Sequence, residues 1–96
     1  MWIRSQSKKV LLNVNQVVIN NTKDKSEYYI YGYSERGLDI LGIYSTKEKA
    51  LKVLDEIQDS IENTDYYRIE NVGHGTYALV NGVQVYQMPQ DDEVEV

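Results

Sequence analysis

Three tyrosines at alternating positions, Tyr29, Tyr31 and Tyr33, have the types and spacing that most directly suggest a task for this chain. In an extended strand they stand on one face of a sheet. Rings with polar tips in that arrangement suit a protein contact or the stacking of single-stranded bases. The chain holds nine tyrosines and one tryptophan but no phenylalanine, so the aromatic content is almost entirely amphipathic.

Other residues offer less. His74 is the only histidine and lies between two glycines; a catalytic base needs a nucleophile or substrate in reach and a partner to orient the ring, and its neighbours supply neither. One histidine and no cysteine cannot make a zinc site. The acids of the carboxyl end, Asp91, Asp92, Glu93 and Glu95, lack the spaced ligands and turn glycine of a calcium loop. Gly73 and Gly75 are followed by no phosphate-cradle signature. Asp55 and Glu56 are adjacent on a helix, where side chains diverge. The chain therefore reads as a non-enzyme without metal or cofactor.

The elements that must position the tyrosines are legible around one helix. Ser45 followed by Glu48 has the form of a capping box, and Ala50, Leu54, Ile57 and Ile61, widened by Leu51 and Val53, repeat as an apolar stripe. These features predict a helix over about 46–62. Lysines 47, 49 and 52 precede Asp55, Glu56, Asp59 and Glu62 in it, against the preference of the helix dipole. That order could pair antiparallel with a second copy.

Around the helix the chain reads as strands. A short one is expected at Trp2–Arg4, and the β-branched run 10–19 is one bent strand or two meeting at Asn15-Gln16. Residues 28–33 and 38–44 flank Ser34-Glu35-Arg36-Gly37, a hairpin whose Gly37 supplies positive φ. With Tyr33 opposite Leu38, Tyr31 meets Ile40, Ile30 meets Leu41 and Tyr29 meets Gly42. One face then carries Tyr28, Ile30, Leu41 and Ile43, and the other Tyr29, Tyr31, Tyr33, Leu38 and Ile40. A further short strand is expected at 66–70, a loop at 71–75, and a hairpin over 77–86 turning on Asn81-Gly82.

Ninety-six residues suit one domain. We expect an α+β fold, an antiparallel sheet of about five to seven strands with one amphipathic helix on one face. Residues 1–89 make the domain and 90–96 an acidic, disordered tail. Removing the four tail acids takes the net charge from −5 to −1, and residues 1–40 carry six bases against four acids. No apolar run is long enough to span a membrane, and the amino terminus lacks the pattern of a signal peptide, so the cytoplasm is the expected location.

A single helix covers one face of such a sheet, which leaves Tyr29, Tyr31, Tyr33, Leu38 and Ile40 without an evident cover. The expected function is a binding module for a protein partner or for a second copy of itself. The alternative is single-stranded nucleic acid, held by the rings and the basic amino-terminal half.

Residues 1–6, Leu11–Asn15, the block from Leu41 to Ile57 and the stretch Val85–Pro89 resemble a group of small proteins from phages and mobile elements of Gram-positive bacteria. The resemblance covers most of the chain outside 63–81. It implies a cytoplasmic accessory protein, and with no activity established for the group it carries over no functional residue.

Overall fold

The computed structural model describes residues 1–24, 26–62, 77–80 and 83–96. The elements expected at 66–70 and 71–75, with His74, and the turn pair Asn81-Gly82 lie outside the described residues. Strands β1 (Trp2–Arg4), β2 (Leu11–Asn13), β3 (Gln16–Asn21), β4 (Tyr28–Ser34) and β5 (Gly37–Tyr44) precede helix α1 (Lys47–Glu62); β6 (Tyr77–Val80), β7 (Val83–Gln87) and a short 3-10 turn (Asp91–Glu93) follow. The class is α+β, as expected, with one long helix among the described residues.

The strands divide between two sheets. One has the order β2-β1-β7-β6 and the other β3-β4-β5. Among the described residues all pairs are antiparallel except β1 with β7, where Ile3 lies opposite Tyr86 in a parallel register. The run 10–19 resolves into two strands because the chain crosses from one sheet to the other at Val14-Asn15, where Asn15 N–H donates to the Tyr33 carbonyl at 2.8 Å. Gln6 makes a second seam. Its N–H donates to the Leu41 carbonyl at 2.7 Å, and its side-chain amide both donates to and accepts from the backbone of Ile43. One glutamine thus covers part of the β5 edge that would otherwise present unpaired groups.

Both sheets and the helix contribute to one core: Ile3 and Tyr86, Ile30, Leu41 and Tyr44, and Ala50, Val53 and Ile57. Gly32 packs tightly against Val14, Leu41 and Leu12. A Cβ there would lie 2.8 Å from Val14 Cγ1 and 2.9 Å from Leu41 Cδ1. Gly32→Ala is therefore expected to destabilise by about 1–3 kcal/mol, as overpacking does, and Gly32→Val by more. Urea midpoints of the two variants check this; an unchanged midpoint for Gly32→Val would contradict the close approach.

The helix differs from expectation in two ways. Its N-cap is Thr46, whose Oγ1 accepts the Lys49 N–H at 3.2 Å, not Ser45, so no capping box joins Ser45 and Glu48. Ser45 is engaged elsewhere: its N–H and hydroxyl both donate to Asp91 Oδ1, at 2.8 and 3.1 Å. The buried stripe is Ala50, Val53, Ile57 and Ser60; Leu54 is half-buried, while Leu51 and Ile61 are exposed. Ala50, Val53 and Ile57 share one buried core with the large side chains of Tyr44, Tyr86 and Met88.

The acidic segment 90–96 is a correction to the expectation of disorder. Asp91 is tied to Ser45, Lys49 Nζ donates to the Asp91 carbonyl at 2.9 Å, and Lys52 Nζ donates to the Glu95 carbonyl. Val94 is buried in the common core. Two of the three lysines that opposed the helix dipole, Lys49 and Lys52, thus serve the tail, and Asp91 brings a negative charge to the amino-terminal end of the helix, where the dipole favours it.

The Ser45 N–H, with smaller contributions from its hydroxyl and from Lys49, holds the Asp91 carboxyl below its ordinary value of 3.8. A depressed pKa gives stability that is complete above the ordinary value and lost as pH falls through the lowered one. Acidification should therefore release the tail only below pH 3.8. An NMR titration is expected to show the Asp91 carboxyl and the Ser45 amide moving together with a midpoint under that value; a midpoint at or above it would contradict this docking.

Candidate interaction face on the three-stranded sheet

The tyrosine face is built by register. Directly paired residues of an antiparallel sheet share a face, so the pairings of β3, β4 and β5 define three rows: Gln16, Tyr33 and Leu38; Val18, Tyr31 and Ile40; Asn20, Tyr29 and Ile43. The five residues singled out from the sequence, Tyr29, Tyr31, Tyr33, Leu38 and Ile40, all lie on it. Exposure is 39% for Tyr33, 51% for Leu38 and 47% for Ile40, whereas Tyr29 and Tyr31 are half-buried. The rings of Tyr29 and Tyr31 meet edge to face with centroids 5.9 Å apart, an arrangement that the aromatic quadrupole favours.

The pairing expected for the hairpin holds for Tyr33 with Leu38 and Tyr31 with Ile40, and then shifts. A β-bulge at Ile30/Tyr31 sets Ile30 opposite Gly42, Tyr29 opposite Ile43 and Tyr28 opposite Tyr44. Leu41 is the extra residue. It stays in the core, but every later residue of β5 exchanges faces, as a one-residue slip requires. Ile43, expected in the core, joins the tyrosine face, and Tyr44 becomes fully buried.

The turn is also tighter than a four-residue loop, because Ser34 and Gly37 are themselves paired across Glu35-Arg36, with Gly37 at φ 122°. Val18, Gln16 and Asn20 are members of the face that the tyrosine spacing could not announce, since they come from β3. The alternation of Gln16, Val18 and Asn20 was the available signal.

None of the nine residues in the three rows is charged. The face combines three phenols, two amides and four aliphatic side chains. It therefore offers ring surface and hydrogen-bonding tips but no ion for a phosphate or a carboxylate. On the opposite side of the sheet, Tyr44 donates its hydroxyl to the Pro89 carbonyl at 2.8 Å. Burial above all, with the carboxylates of Glu56, Asp91 and Glu93, pushes that phenol well above its ordinary 10.0, so it stays a neutral donor. Among the described residues no three His, Cys, Asp or Glu side chains gather where they could hold a metal ion, and no helix is long and apolar enough to cross a membrane.

Residues 19–78 match the model of a domain of unknown function, DUF7336. The chain belongs to the DUF7336 family. Neither a curated protein nor a solved structure matches it. The DUF7336 match begins in β3 and runs through β4, β5 and α1 into β6. It therefore contains the whole tyrosine hairpin, and leaves β1, β2, β7 and the docked tail outside.

Proposed function

We propose that this DUF7336 protein is a non-enzymatic binding module whose tyrosine face pairs with a second copy of itself. The observation that carries the reading is the uncharged, partly exposed face of three rows. A two-fold contact lays the same patch on itself, and a patch without ions meets no like-charge penalty when it does so. Tyrosine and aliphatic side chains are also the residue types that interface cores favour over charged ones. Nine residues are fewer than the ~20–30 per side of a standard interface. The contact is accordingly weak and concentration-dependent.

Nucleic acid fits the face less well. Stacking platforms work beside a positively charged groove, and no Lys or Arg stands in these rows. The resemblance to phage and mobile-element proteins supports an accessory role in the cytoplasm of a bacterial host. A dilution series followed by NMR tests the reading. Shifts should concentrate in β3, β4 and β5 on the tyrosine face; shifts spread over the helix and the tail instead would contradict it.

A further inference from the structure

A second surface carries an inference of its own, independent of the tyrosine face. The carboxyl-terminal segment lies against α1 and the end of β7 as a short peptide would lie in a groove. Asp91 is held by the Ser45 N–H and hydroxyl and by Lys49; its carboxylate and Lys49 Nζ are 3.5 Å apart. Three residues on, Val94 is buried at 7% exposure in a socket of the core, and Lys52 holds the Glu95 carbonyl.

An open hollow of about 530 Å³ is lined by Lys52, Glu56, Gln87 and Pro89 together with residues 93–95. The segment is thus attached by a carboxylate, one aliphatic side chain and backbone carbonyls. These are the contacts of a peptide ligand in its site.

We propose that the groove between α1 and β7 is a recognition site for acidic peptide segments with an aliphatic residue three positions after an aspartate, closed in cis by residues 91–96. Charge complementarity selects the occupant: two lysines and the amino-terminal end of a helix favour acids, and the Val94 socket requires an aliphatic anchor. A segment tethered by a short connection has an effective concentration in the millimolar range. A competing peptide from another protein must therefore exceed that level or meet a chain whose tether contacts are weakened.

The test uses the full isotope-labelled chain and an unlabelled synthetic peptide, Gln-Asp-Asp-Glu-Val-Glu-Val, identical to residues 90–96. As the peptide is raised through the millimolar range, the labelled Val94 methyls should move to their free position while the Ser45 amide keeps its bonded shift, because the peptide's aspartate replaces the chain's own. In Asp91→Asn, which removes the charge that Ser45 and Lys49 hold, the same displacement should need at least about tenfold less peptide. A peptide with serine in place of the first valine should fail in both chains. Val94 unmoved in both chains, displacement by the serine peptide at the same concentration, or loss of the Ser45 shift together with Val94 would each overturn the proposal. Either chain alone gives a decisive reading, so the wild type decides if the variant does not fold.

Discussion

Tyr44→Ala is expected to cost about 3–5 kcal/mol, the range for removing a large aromatic side chain from a core. That is a large part of the ~5–15 kcal/mol that typically separates folded from unfolded domains. The side chain is fully buried, its hydroxyl bonds the Pro89 carbonyl, and its ring packs so closely on the backbone that a Cβ on Gly42 would lie 2.9 Å from Tyr44 Cε2.

It joins the end of β5, the entry to α1 and the docked tail. Tyr44→Phe keeps the ring and loses one hydrogen bond, so it should cost only about 0.5–1.5 kcal/mol. The Pro89 carbonyl retains its contact with the Gln6 amide in that variant. Urea unfolding of both variants separates packing from hydrogen bonding, and equal losses would contradict this assignment.

The second large effect concerns association. Tyr29→Ala, Tyr31→Ala and Tyr33→Ala combined should abolish self-association while the fold survives. Tyr33 is exposed and the other two are half-buried; strand preference spans only ~1 kcal/mol per position, so the summed cost is bearable. Ile40→Lys reaches the same end with one change. It places a charge at a position 47% exposed, and a two-fold contact then sets like charges near one another. Both variants should remain folded by circular dichroism and run as monomers at concentrations where the wild type does not. Association that persists in both would locate the contact elsewhere.

The helix and most strands were legible because local signals agreed: periodicity, a hydroxyl before the first turn, and glycine in the hairpin turn. The five tyrosine-face residues were legible for the same reason, since alternation survives up to the bulge. In the sequence Leu38 to Tyr44 the adjacent apolar pair Ile40-Leu41 breaks the alternation, but a strand covered on both faces shows the same pair, so the pair does not by itself mark Leu41 as the inserted residue. The face of Ile43 was therefore reversed.

The helix stripe was read too wide: Ala50, Val53 and Ile57 are buried as expected, while Leu54 is half-buried and Leu51 and Ile61 are exposed. A stripe this wide fits several rotations of the helix, and tertiary packing rather than the local pattern sets the one adopted. The tail was read as solvated because a run of acids carries no local structure of its own. Its partners, Ser45, Lys49 and Lys52, lie some forty residues earlier, and Val94 is a lone anchor in polar surroundings.

Light scattering at a low and a high protein concentration, on the wild type and on Ile40→Lys, tests the central claim most directly. The account predicts that the wild-type mass rises with concentration from the monomer toward the dimer, while Ile40→Lys stays at the monomer mass throughout. A wild-type chain that remains monomeric at both concentrations, or a folded Ile40→Lys that associates as the wild type does, would contradict it.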